Sequence, residues 1–370
     1  MKNLFSIVCL VAALGFRAQA QFSITAMTTF GFNADGWWAP GENGVTYLSA
    51  GDTQRGMAYG NGHLYLVNRN VANSILRLDP STGSDLGSPL NLTGISGGTF
   101  VISKIAVAGD GSIYAGNLTT STATSAYKIY RWANDAAAPT TAFSGTTISG
   151  VRIGDSTLGV AGTGTSLRLY SGFAASPTVT GNNGYAIIDP VLNSSVQVGF
   201  VGTPSNAGDF RLGLTIGPSG QVWGNQGSQA LRETSFSGTS GTLLGTATGL
   251  ISVAERPMAY TLLNGIPLLA TISTGDSTVR VYDATNPLAL TLLGSKNNTS
   301  GTLTANGNGT GDVAWGDVTD LGNGVFQQTL YSLSSNQGIQ AFIVQVPEPG
   351  TLALAVLGGA ALIALRRNRR

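Results

Sequence analysis

The chain has 370 residues, and charged types make up only 10 % of it, against about 25 % in average soluble proteins. Between residues 21 and 346 there are 13 Lys and Arg against 17 Asp and Glu, a net charge of −4, and one histidine, His63. A weakly acidic body of this kind carries no electrostatic footprint for nucleic acid, and Gly, Ser, Thr and Asn in place of charge suit a turn-rich extracellular β protein.

In chain order, Met1-Lys2-Asn3 is a basic start, residues 4–16 are an apolar run, and Ala18-Gln19-Ala20 has the small-x-small form of a cleavage site. This is a secretory signal peptide over residues 1–20, which implies passage through the Sec translocon, with cleavage set by Ala18 and Ala20. Cys9 lies inside it, so the mature body has neither thiol nor disulfide.

A strand-like run at 22–32 leads to Asp35-Gly36-Trp37-Trp38. Trp37 and Trp38 could stack on a sugar ring, or pack beneath the N-terminal loop. From Arg55 a repeated unit takes over. A turn glycine, any residue, an aliphatic and an aromatic recur at Gly62–Tyr65, Gly111–Tyr114 and Gly220–Trp223. An apolar-Arg register recurs at Arg77, Arg131, Arg168, Arg232 and Arg280, five of the ten arginines in the body. Four steps separate the first from the last, a mean of about 51 residues, and Gln340 takes the sixth place.

That period matches four-stranded propeller blades and is far too long for a β-helix coil. The predicted fold is all-β: a β-propeller over residues 21–346, of six blades starting near Arg55, Ser103, Val151, Asp209, Arg256 and Asp312. The run at 22–32 supplies a strand that closes the ring. Seven blades, or a sandwich or solenoid, are the alternatives.

Blade starts that feed innermost strands would ring one mouth of the channel with Asp52, Arg55, Arg152, Asp155, Asp209, Arg211, Glu255, Arg256 and Asp312, with Lys104 nearby. Ligands commonly bind at such mouths. No nucleophile–base pair, Zn spacing or phosphate loop is legible, so no catalytic residue and no cofactor are assigned. Asp312, Asp317 and Asp320 are the one group that could hold Ca²⁺ through oxygen ligands, or else serve as turn residues.

Residues 347–370 open with Pro347-Glu348-Pro349, continue through an uncharged run at 352–365 and end on Arg366, Arg367, Arg369 and Arg370. As a single helix the run is about 21 Å long, short of a ~30 Å hydrocarbon core without its flanks. The arginines would hold the end in the cytoplasm and leave the body outside.

This tail resembles the PEP-CTERM sorting signal of Gram-negative surface and secreted proteins. The resemblance implies an exosortase as partner, a transient transmembrane anchor in the inner membrane, and delivery to the cell surface, outer envelope or extracellular matrix, with a link to exopolysaccharide. The segments Gln54-Arg55-Gly56-Met57-Ala58-Tyr59, Gly97-Gly98-Thr99-Phe100 and Tyr127-Lys128-Ile129-Tyr130-Arg131-Trp132-Ala133-Asn134 also resemble uncharacterised propeller-like domains that precede this signal, which implies a fold and no reaction. The expected function is a non-catalytic, exported propeller, sorted through its tail, that binds exopolysaccharide or another envelope component. The alternative is a secreted polysaccharide hydrolase or lyase using Asp155, Asp209 and Glu255.

Overall fold

The structure is a computed structural model that describes residues 22–145, 150–155, 157–174, 184–200, 210–217, 219–225, 231–249, 252, 254–322 and 324–347. Ala18, Ala20, Asp209, Glu348, Pro349, the 352–365 run and the terminal arginines lie outside these residues. Among the described residues no helix is long and apolar enough to cross a membrane.

Strands follow one another with short turns. β1 (Ser23–Ala26) and β2 (Trp37–Trp38) precede a three-stranded group, β3 (Gln54–Gly60), β4 (His63–Asn68) and β5 (Ser74–Leu78). Then come β6 (Phe100–Val107), β7 (Ile113–Leu118), β8 (Tyr127–Trp132) and β9 (Thr140–Gly145). The third group has a split first strand, β10 (Arg152–Ile153) and β11 (Gly159–Ala161), before β12 (Arg168–Ala174), β13 (Gly184–Asp189) and β14 (Ser194–Gly199). β15 (Gly213–Ile216), β16 (Val222–Asn225), β17 (Arg232–Ser237) and β18 (Ser240–Thr246) make the fourth. β19 (Glu255–Leu263), β20 (Ile266–Ser273), β21 (Val279–Asp283) and β22 (Thr291–Lys296) make the fifth, and β23 (Gly311–Asp320), β24 (Val325–Ser334) and β25 (Gly338–Pro347) end the chain.

Every group is an antiparallel meander, as the Gly- and Asn-rich turns require. Among the described residues the hydrogen-bonded sheets number five, which corrects the expectation of six separate four-stranded ones. The third and fourth groups share one nine-stranded sheet, joined by a single parallel pair, Gly199 with Ser240. The 54–78 group has three strands only. β1 pairs antiparallel with β25, from Ser23 opposite Gln345 to Ala26 opposite Phe342, so chain start and chain end share a sheet.

Alternation along each strand explains why the groups stack. In β4, Leu64 and Leu66 enter one core while Tyr65 and Val67 enter the next. The same division recurs at each boundary: Ile129 and Phe143 meet Ile153 and Leu169, Tyr185 meets Phe210, Trp223 meets Tyr282, and Val281 meets Phe342. The core shared by the last and first groups joins Leu333 and Ile339 to Leu64 and Leu76. The groups therefore form a closed, propeller-like ring in which both faces of a sheet are buried.

Candidate functional site

The first strands of the groups lie side by side around the centre: β3 between β23 and β6, β15 between β11 and β19, and β19 beside β23. Arg55, Arg152, Arg211 and Arg256, at or just before the starts of these strands, line one cavity, and the later residues Tyr59, Val160, Ile216 and Tyr260 line another. Their starting residues gather at one mouth and their final residues at the other.

At the entry mouth, Asp155 is fully buried at the centre of a guanidinium cluster. Arg152 donates to both of its oxygens, Nε to Oδ2 at 2.5 Å and a terminal nitrogen to Oδ1 at 2.6 Å. Arg211 donates to Oδ2 at 2.8 Å, and Arg55 approaches to 3.8 Å. Burial alone would raise the Asp155 carboxyl, but the hydrogen bond from Arg152 and the charges of Arg211 and Arg152 outweigh it and hold the pKa below its ordinary value. Arg55 also pairs with Asp52 at 2.5 Å, and Asp52 accepts a hydrogen bond from the Asn308 amide. Arg256 lies against the loop before β23. A Cβ on Gly309, whose φ is +61°, would stand 1.5 Å from an Arg256 nitrogen, so the guanidinium occupies the space that glycine leaves. Arg55, Arg152, Asp155, Arg211, Arg256, Gly307, Asn308 and Thr310 line a cavity of about 270 Å³.

Below the mouth, Lys104 is buried. Its ammonium donates to the carbonyls of Arg55 and Gly311 at 3.1 Å each and pairs with Asp312. Asp312 also accepts from the Met57 amide at 2.9 Å, so one ion pair ties three first strands together. Beyond it a second cavity of about 310 Å³ opens at the far end, lined by Tyr59, Val160, Ile216, Tyr260, Asp312 and Trp315 among others. Burial raises the Tyr260 hydroxyl, and its oxygen has no partner among the described residues.

Of the predicted mouth residues, the structure brings Asp52, Arg55, Arg152, Asp155, Arg211 and Arg256 together. Glu255 is corrected. It is buried away from the cavity, accepting from the Thr271 and Tyr282 hydroxyls at 2.7 Å and from the Ser252 amide at 2.8 Å. The ladder of β19 on β20 is irregular between Glu255 and Met258, and there Arg256 lines the mouth while Glu255 turns to Thr271 and Tyr282. Asp312 is also corrected, from the mouth to the interior. Trp37 and Trp38 are 9 % and 7 % exposed, and their indoles donate to the carbonyls of Gln337 and Thr82. β2 lies along β25, which leaves no ring face for a sugar. Asp312, Asp317 and Asp320 stand along one ten-residue strand, the outer two about 26 Å apart at strand rise. They cannot share a Ca²⁺, and each has another partner: Lys104, the Tyr59 hydroxyl and the Gly322 amide.

Two groups escaped the sequence reading. Arg69, at the end of the second strand of its group, donates to the Asp52 carbonyl at 3.1 Å and lies 3.8 Å over the Phe100 ring. Burial and the Arg55 charge bring it down to about 10. The 307–310 loop lines the mouth because it runs straight into β23. Its position before a blade start was the available signal.

The register arginines tie strands together, within a group for Arg131, Arg168 and Arg280 and across to the next group for Arg77. Arg77 pairs with Asp135 at 3.1 Å, Arg168 with Asp189 at 3.0 Å and Arg280 with Glu255 at 3.4 Å, while Arg131 donates to the Ser112 hydroxyl. His63 reaches the same Asp135 at 3.1 Å, beside the Tyr65 hydroxyl.

Comparison with known proteins agrees with this picture. The PEP-CTERM protein-sorting motif matches residues 345–370, and a domain of unknown function, DUF4623, matches residues 18–194. The sorting motif supports export toward the cell surface and implies exosortase processing. A crystal structure of a DUF4623 family protein from Bacteroides eggerthii is 16 % identical, covering 90 % of this chain and 78 % of its own, with a TM-score of 0.61. The major allergen Mala s 1 of Malassezia sympodialis is 12 % identical over 81 % of this chain and 95 % of its own, with a TM-score of 0.54. At these identities the likeness is one of fold. No curated protein matches the chain in sequence. The chain therefore carries a PEP-CTERM sorting motif at its end, and the part of its body over residues 18–194 matches the uncharacterised DUF4623 domain.

Proposed function

We propose that this protein is an exported, non-catalytic surface or matrix-associated module, sorted by exosortase through its tail, that binds exopolysaccharide or another envelope component at the entry mouth. The carrying observation is the convergence of first-strand starts on one polar cavity, in a chain that bears a sorting motif. The apolar run at 352–365 would serve as a temporary inner-membrane anchor before processing. We count the nine-stranded sheet as two radial units, because a single residue pair joins its halves, and this gives six blades in all.

The hydrolase or lyase alternative needs carboxylates that can exchange protons with a substrate. Asp155 is saturated by guanidiniums and Glu255 by hydroxyls and an amide, which argues against these two, and Asp209, the third carboxylate of that reading, lies outside the described residues. Incubating the exported protein with matrix polysaccharides is the test. Retention of a polysaccharide without new reducing ends is expected, and new reducing ends would establish the enzyme instead.

A further inference from the structure

The entry mouth has a charge imbalance that its own carboxylates do not cancel. Among the described residues, five guanidiniums, Arg55, Arg69, Arg152, Arg211 and Arg256, surround two carboxylates, Asp52 and Asp155, an excess of three positive charges. The Lys104–Asp312 pair beneath is neutral as a unit. All of this lies in a body whose net charge is −4, so the local excess runs against the molecule's overall sign.

The donors are also not used up. A guanidinium carries five N–H donors in a planar fork. Asp155 occupies two nitrogens of Arg152 and one of Arg211, and both side chains remain partly open, at 39 % and 22 % exposure. Arg256 has no carboxylate partner among the described residues, and its buried Nε has no hydrogen-bond acceptor. Burial first, and then the charge of Arg211, lower its pKa.

Resting on the binding reading above, we infer that the mouth is an oxyanion site, in which Arg152, Arg211 and Arg256 take the carboxylate of a sugar acid, free or exposed on a polysaccharide. Planar forks match a carboxylate bidentately, and a cavity of about 270 Å³ is at the small end for ligands, room for one acid-bearing unit. Asp155 is the organiser: it holds two of the guanidiniums at fixed angles and leaves their outer edges to the ligand. Asn308, whose amide holds Asp52, and buried Thr310, whose hydroxyl is on Ser335, close the wall beside the guanidiniums.

Titration calorimetry of the exported protein with glucuronate and with glucose tests this directly. Glucuronate should bind, glucose at the same concentrations should not, and sulfate should displace glucuronate. Affinity should fall when salt is raised to about 0.5 M, because part of the attraction is screened. Arg256→Gln should weaken binding by about tenfold or more. That variant breaks no ion pair among the described residues, and an unchanged melting curve would certify its fold. Gly309→Ala, which pushes Arg256 out of place without removing it, should act in the same direction. Retention on immobilised polyuronate, compared with free glucuronate, separates a polymer ligand from a small one.

Equal affinity for glucose and glucuronate, or unchanged glucuronate binding in both variants, would overturn the oxyanion site. Retention of a neutral polysaccharide in that case would leave the broader binding function intact.

Discussion

Asp155 combines full burial with a depressed pKa, two properties that coexist only because three arginines converge on it. Removing the carboxylate strands several partly buried cations, and breaking such a cluster typically costs about 3–5 kcal/mol. Asp155→Asn should therefore lower stability by that order in denaturant unfolding. Its pH signature has a definite sign. A carboxylate whose folded pKa lies below the unfolded value contributes fully above the unfolded value, about 3.9, and loses its contribution as pH falls through the folded one. Wild type should thus lose stability below about pH 4 more steeply than Asp155→Asn, as followed by unfolding midpoints across an acid series. Lys104 makes a comparable case inside the channel. Lys104→Met leaves Asp312 with only backbone amide partners and should cost about 3–5 kcal/mol. Pairing it with Asp312→Leu should cost less than the sum of the single changes, since the double variant strands no charge.

At the scale of elements, β1 is the strand that joins the two ends of the chain. It covers the outer edge of β25, and Ile24 packs on the core shared by the last two groups. An uncovered edge offers its free N–H and C=O groups to other chains. Replacing both Ile24 and Thr25 by proline removes at least one ladder donor whichever residue points inward. The expected result is a lower melting temperature with concentration-dependent association in size-exclusion chromatography; an unchanged monomer would show that closure does not depend on β1. This strand was legible in the run at 22–32, and the turn-glycine signal correctly located β4, β7 and β16. The arginine register marked third strands at β5, β8, β17 and β21 but failed at Arg168, which opens the second strand of its group. There the first strand is split into β10 and β11, both paired to β12, so the count of strands before the arginine slipped by one. Side-chain direction was the harder quantity. Glu255 and Arg256 are neighbours in sequence, and only the observed pairing of β19 decides which of them faces the channel. Trp37 and Trp38 were misleading for a related reason: two residues carry no period from which burial can be inferred, and their pairing partner lies about 300 residues away.

The whole molecule couples its sorting tail to its closure. β25 ends at Pro347, the first residue of the Pro-Glu-Pro motif, and Pro347 is still in register with Val325 of β24. Over its length β25 is hydrogen-bonded to β24 on one side and to β1 and β2 on the other, so it is an interior strand of its sheet. Val344 and Phe342 fill one core and Ala341 and Ile339 the other, which makes this strand part of two boundaries at once. Processing beyond the motif would therefore leave β25 whole, whereas a cut a few residues earlier would open the sheet from within. A chain ending at Pro347 should melt at the same temperature as the longer form. A chain ending at Ser334 loses an interior strand and the seam with β1, and should fail to unfold cooperatively by calorimetry. Mass spectrometry of the exported protein should correspondingly find peptides up to β25 and none containing residues 352–370. Intact tail peptides on the mature protein would show that it is anchored without cleavage, and cooperative melting of the Ser334 form would show that the ring closes by other contacts.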